Sequence, residues 1–158
     1  MNFQIKITEE KDIALIVNLI REFAAFEKLS DFCEVTEDAL RDAMFGESSC
    51  VGGLMAFANE NPIGYALFYE NFASFRGQRG FYLEDLYVKP EFRGRKIGEA
   101  FLKKLAEIAK TRNFQRIDFL VLDWNEPAIR FYEKLGAKPD ESERHFRFVG
   151  GAFENLSE

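Results

Sequence analysis

The chain has 158 residues, 47% of them hydrophobic and 30% charged, with a net charge of −6 at pH 7. That length fits one domain spanning 1–158, with a core large enough to need no disulfide or metal staple. The composition excludes a disordered chain, and the acidity argues against nucleic acid as the main partner.

FQIKI at 3–7 alternates and predicts a strand. Over 9–28, Ile13, Ile16, Val17, Ile20, Phe23 and Ala24 recur at helical spacing and predict a helix with one apolar face. Thr36 before Glu37 and Asp38 predicts an N-cap for a short helix running to Phe45. CVGGLMAFA (50–58) and IGYALFYENF (63–72) read as two strands paired through the turn 59–62, and FASFRGQRG (72–80) reads as a loop. FYLEDLYV (81–88) is the next strand, followed by the loop KPEFRGRKIG and a helix over 97–112. QRIDFLVL (115–122) is a strand, and NEPAIRFYEKLG (125–136) a helix with Asn125 as cap, Pro127 in its first turn and Gly136 as its stop. HFRFV (145–149) closes the pattern as a last strand. The predicted fold is α/β: a mixed, mostly antiparallel twisted sheet with flanking helices, in which 81–88, 97–112 and 115–122 form a parallel βαβ unit.

Cys33 and Cys50 make no disulfide framework, and with His145 as the single histidine a metal site is not expected. No apolar run approaches the roughly 18 residues of a membrane span, and MNFQIKITEEKD turns acidic too early for a signal peptide. The expectation is a cytoplasmic chain with reduced thiols. The 18 Phe read mainly as core. Charge is uneven: residues 1–40 are strongly acidic, whereas Lys89, Arg93, Arg95 and Lys96 cluster within eight residues against Glu91. A local basic loop on an acidic protein suits one small anionic ligand beside a surface suited to cations.

Three segments carry possible chemistry. In EDLYVKPEFRGRKIG (84–98), a strand runs through a basic loop into a helix N-terminus, whose free N–H groups and partial positive charge suit phosphate. Gly94 and Gly98 permit close backbone approach, although an ordinary basic strand–helix turn would read the same. Asn125 and Tyr132 lie seven apart on one helix and share a face; Tyr can donate a proton and Asn can bind amides, or they simply cap and pack. Glu84 and Asp85 interrupt an apolar strand, so each needs a base, a wet cleft or a bulge.

Together these segments resemble the GNAT N-acetyltransferase superfamily, and within it the spermidine/spermine (diamine) and thialysine acetyltransferase branch. Arg93-Gly-Arg-Lys-Ile-Gly98 stands where the family keeps Arg/Gln-x-x-Gly-x-Gly/Ala, with Lys96 replacing the middle glycine. YLEDLYV (82–88), FLV (119–121), WNEPAIRFYEKLGA (124–137) and AAFEKL (24–29) match the branch in order and spacing. The resemblance implies a single-domain GNAT fold and an acetyl-CoA-dependent N-acetyltransferase. The acceptor is a small primary amine, polyamine-like or lysine-like, which attacks directly in a ternary complex.

It further implies cofactor contacts from Leu86, Tyr87, Val88, Arg93, Gly94, Arg95, Lys96, Ile97, Gly98, Asn125, Pro127, Ala128 and Tyr132. The strand N–H groups near 86–88 would stabilise the oxyanion. Glu84 is implied as the base, directly or through water, and Tyr132 as the acid that protonates the departing thiolate. Phe26, Glu27, Phe75, Glu84 and Asp85 are implied as amine-side contacts. Arg144 and His145 stand where polyamine enzymes tend to show acids, which suits a substrate carrying a carboxylate as well as an amine. A homodimer is implied in the same way. The alternatives are a GNAT enzyme acting on a peptide or protein N-terminus or a drug amine, and a non-catalytic acyl-CoA-binding module.

Overall fold

The structure, a computed structural model, describes residues 2–156. The chain forms two compact units, one ending at Leu120 and one beginning at Val121.

In the first unit, alternating apolar segments form five strands that stand in chain order: β1 (Gln4–Ile7), β2 (Val51–Ala58), β3 (Asn61–Ala73), β4 (Gln78–Val88) and β5 (Arg116–Phe119). β1 to β4 pair antiparallel, and β4 pairs β5 in parallel. The crossover helix α3 (Ile97–Thr111) supplies the return path that a parallel pair needs. β2 and β3 meet in a two-residue turn, Asn59 and Glu60, both at positive φ, the turn whose twist matches a hairpin.

Each sheet face has its own core. Ile97, Phe101, Leu105 and Ala109 of α3 pack on Leu54, Ala66, Phe68, Phe81 and Leu83. On the other face, α1 (Ile13–Phe26) and α2 (Glu37–Phe45) bury Ile13, Ile16, Val17, Leu19, Leu40 and Met44 on Met55, Tyr65, Leu67 and Tyr87. The Thr36 hydroxyl caps α2 by accepting from Ala39 N at 3.1 Å. α1 is preceded by a 3-10 turn over Glu10–Asp12, so the helix proper starts later than the apolar spacing predicts.

Three expectations need correction. Residues 72–80 are not a loop: β3 continues to Ala73, a 3-10 turn covers Ser74–Arg76, and β4 begins at Gln78, with Phe72 opposite Arg79 and Asn71 opposite Gly80. The glycines and charges there serve the sheet. Arg79 pairs with Glu70 at 2.6 Å, and Gly80 lies where a Cβ would collide with Arg116. β5 ends at Phe119, three residues short of the predicted strand. Residues 145–149 form no strand, because alternation makes a strand only where a ladder partner exists, and there they are exposed. The phenylalanines divide: Phe68, Phe81, Phe101 and Phe114 are buried and Phe3, Phe23, Phe57, Phe92 and Phe119 pack partly buried on the two cores, whereas Phe32, Phe72, Phe75, Phe146, Phe148 and Phe153 are exposed.

The second unit holds α4 (Glu126–Lys134) and a short α5 (Gly151–Glu154), the latter without a sequence signal. Asn125 Oδ1 accepts from Ala128 N at 3.3 Å and caps α4. Its end is a Schellman turn: Ala137 N donates to Tyr132 O and Gly136 N to Glu133 O, with Gly136 at φ +94°.

Candidate active site

β4 carries an extra residue at the point where the site is built. Leu67 pairs with Asp85 and Phe68 with Leu83, which leaves Glu84 as a β-bulge. The bulge shifts the phase of the strand. Phe81 and Leu83 face the α3 core; beyond the bulge Leu86 and Val88 face it, while Tyr87 faces α1. Asp85, two residues after Leu83, therefore lands on the opposite face from it, opposite Leu67. Glu84 remains exposed and Asp85 is half-buried.

Asp85 sits in a carboxylate-rich setting. Tyr65, fully buried on β3, donates its hydroxyl to Asp85 Oδ2 at 2.9 Å. Burial pushes the Asp85 carboxyl up to about 6, the Tyr65 bond pulls it down, and the charge of Glu84 raises it. Glu27, which ends α1, is raised by its own burial and by the charge of Asp85. Burial and these two carboxylates push the Tyr65 phenol well up. Among the described residues no Lys or Arg pairs with Glu27 or Asp85. Two half-buried acids without a cation make a place for one. Tyr65 has no signal in the sequence, where IGYALFY reads as one more ring-bearing strand.

The basic loop lies beside this cluster. Arg93 Nε donates to Val88 O at 2.9 Å, and its guanidinium stands over the Phe26 ring at 4.2 Å and the Tyr87 ring at 5.8 Å. Lys89 pairs with Glu22 of α1 at 3.1 Å. The loop is thus tied to the end of α1, and Arg93 serves as one of the ties. Gly94 has φ +74° and open space where a Cβ would stand. Arg95 stacks near Phe92. Lys96 is the N-cap of α3 with φ +63°, left-handed, and its side chain makes no capping bond. Ile97 is buried and Gly98 half-buried in the first turn, whose N–H groups have no helical partner. The β4–β5 ladder ends at Leu83 and Phe119, so β5 contributes no strand partner alongside Leu86–Val88.

Of the predicted amine-side residues, Phe26, Glu27 and Asp85 come together around the loop. Glu84 is adjacent on the bulge, and Phe75 points fully into solvent at the tip of the β3–β4 hairpin. In the second unit, Asn125, Pro127 and Ala128 form the first turn of α4, and Tyr132 packs half-buried against Phe131 with ring centroids 5.0 Å apart. No group of metal-ligating side chains occurs among the described residues, and no helix there is long and apolar enough to cross a membrane.

Known proteins share this pattern. Residues 17–137 match the model of the acetyltransferase (GNAT) family. Thialysine N-epsilon-acetyltransferase of Bos taurus is 40% identical over 164 aligned positions, covering 97% of this chain and 96% of that protein. Human spermidine/spermine N(1)-acetyltransferase-like protein 1 is 37% identical over 92% of this chain and 22% of its own length. An integron cassette protein from V. cholerae has a solved structure that superposes with a TM-score of 0.80 at 27% identity, covering 99% of this chain and 98% of that one. An aminoglycoside acetyltransferase from an uncultured soil sample shares the fold, with a TM-score of 0.79 at 23% identity over 96% of this chain and all of that one. The chain belongs to the GNAT acetyltransferase family and is an N-acetyltransferase.

Proposed function

We propose that this enzyme moves the acetyl group of acetyl-CoA to a small primary amine, a diamine, polyamine or lysine-like acceptor such as thialysine, by direct attack in a ternary complex. One observation carries the reading: Glu27 and Asp85 are half-buried acids, the charge of Asp85 reaches Glu27, and among the described residues neither pairs with a Lys or Arg, while Arg93 of the basic loop stands over Phe26 beside Glu27. The identity with thialysine and spermidine/spermine acetyltransferases supports it. We take 1–158 as one functional domain, since the family match crosses from the first unit into the second.

The residues present fit acetyl-CoA. The uncapped N-terminus of α3, the open Gly94 and the cations Arg95 and Lys96 suit its pyrophosphate. When bound, acetyl-CoA supplies the activated acetyl group. Backbone N–H groups of Leu86–Val88 stabilise the developing oxyanion, a contribution of about 3 kcal/mol per donor. Asn125, Pro127 and Ala128 contact the cofactor from α4. The amine enters as an ammonium, of which roughly one in 10³ is free base at pH 7. Glu84, exposed on the bulge, removes the proton directly or through water. Asp85 and Glu27 hold a positive centre and Phe26 flanks it, while Phe75, at the far tip of the β3–β4 hairpin, has no part in this reading. Tyr132 protonates the departing thiolate.

The test is CoA-thiol release across a panel of polyamines, thialysine, lysine and other amino acids. Release that depends on an amine of the panel supports the reading; background rates with all of them sink it. We also propose a cytoplasmic homodimer. Its support is the exposed apolar side chains near the C-terminal end, Phe146, Phe148, Val149 and Phe153. Light scattering should give twice the chain mass, and a clean monomer mass overturns the dimer.

A further inference from the structure

We infer that Tyr65 is a positioning residue for amine binding: its hydroxyl, donated to Asp85 Oδ2, fixes that carboxylate so that Oδ1 receives the ammonium. The inference rests on the proposed amine site and adds to it a residue no part of the reading above employs. The geometry is specific. The Tyr65 ring is fully buried against the α1 layer, so its hydroxyl cannot swing away, and the bond to Asp85 is 2.9 Å long. The neighbouring Tyr87 ring, 6.2 Å away between centroids, closes one side. The charged and titratable groups around the pair are Glu27 at the end of α1, Glu84 on β4 and the Cys33 thiol after the Ser30–Phe32 turn. None of them supplies a positive charge, and among the described residues the Tyr65 phenol is the side-chain donor that favours the ionised form of Asp85 against its burial. A buried carboxylate with one oxygen anchored offers the other in a single direction, which suits a primary ammonium rather than a neutral ligand.

The experiment is steady-state kinetics with thialysine and spermidine for wild type, Tyr65→Phe, Asp85→Asn and the double variant, each checked for folding by thermal melting. Tyr65→Phe is expected to raise the amine KM about 10-fold or more, the size of a lost bond to a charged group, while kcat stays within about 3-fold. The acid limb of kcat/KM should move to higher pH, since Asp85 then protonates more readily. Adding Tyr65→Phe to Asp85→Asn should change KM by less than about 2-fold, because both act through one contact. 3-Fluorotyrosine at position 65, a stronger donor of the same shape, should move the acid limb to lower pH. That arm decides the matter alone if Tyr65→Phe does not fold. A folded Tyr65→Phe with wild-type KM and acid limb overturns the inference, as do losses that multiply in the double variant or a fluorotyrosine enzyme with an unmoved limb. Failure of the proposed function looks different: wild type then releases no thiol with either amine.

Discussion

Glu84 and Asp85 are neighbours in sequence but have opposite environments, and the bulge is the reason. Without it, Asp85 would share the α3-facing side with Leu83, and an ionised carboxylate would be buried in a purely apolar core. With it, Asp85 meets Tyr65 and Glu27, and Glu84 stays in solvent. An exposed carboxylate suits a proton relay, and a half-buried one suits a cation. Glu84→Gln is therefore expected to leave kcat/KM rising further toward alkaline pH, because free amine must then form in solvent; an identical profile removes Glu84 from the base role. Tyr132→Phe should lower kcat by about 10-fold or more, the low end of acid–base help; an unchanged kcat removes Tyr132 from the acid role.

The helix ends show where side chains are held in costly backbone conformations. α1 closes as a Schellman turn, with Leu29 N donating to Ala24 O at 2.8 Å and Lys28 N to Ala25 O at 3.1 Å. The left-handed position is filled by Lys28, at φ +60°, where glycine is the usual residue. Lys96, at φ +63°, likewise occupies a left-handed position, at the N-cap of α3. Each costs about 1 kcal/mol relative to an unstrained residue. Lys28→Gly and Lys96→Gly should each raise unfolding stability by about 0.5 kcal/mol or more in urea denaturation, part of the relief being offset by the looser unfolded chain. Only Lys96→Gly should raise the KM for acetyl-CoA, as its charge is lost from the loop. Equal KM values for both variants would make Lys96 a bystander.

The same elements show what the sequence could reveal. Long runs with one clear period, such as the apolar stripes of α1 and α3 and the hairpin β2–β3, are legible because burial of one face dictates the pattern. The caps Thr36, Asn125 and Gly136 are legible because each residue type answers a specific orphaned backbone group. The hairpin tip near Phe75 is misread because its strands pair in solvent, where charges and Gly80 are compatible with a ladder. The acid pair was legible as an anomaly at 84–85, but its partner was not. Tyr65 meets Asp85 only through a register that a one-residue bulge shifts, and no local pattern encodes that.

Keeping an uncompensated acid cluster has a consequence for the stability of the fold as a whole. Asp85 holds its proton up to about pH 6 in the folded state, against an ordinary value of 3.8, chiefly because of burial. Between those two values the unfolded chain has released the proton and the folded chain has not, so stability falls as pH rises through this window and levels off above it. The loss amounts to about 3 kcal/mol for this one group. Asp118 works in the opposite sense: its bonds from Arg116 hold it low, so its stabilisation is present at neutral pH and is lost on acidification. The difference between Asp85→Asn and wild type isolates the first effect, since asparagine still accepts the Tyr65 hydroxyl but carries no charge. Asp85→Asn is expected to be more stable than wild type at pH 8, with the gain shrinking toward pH 4, and to bind the amine more weakly at pH 8. A bound ammonium should supply the missing charge, so saturating amine should stabilise wild type more at pH 8 than at pH 4, with little effect on Asp85→Asn. Urea denaturation at the two pH values, with and without amine, checks both. A gain from Asp85→Asn that is the same at pH 4 and pH 8 would show that the carboxylate is not strained by its burial. The destabilised acid would then not be what draws the substrate's charge into the site.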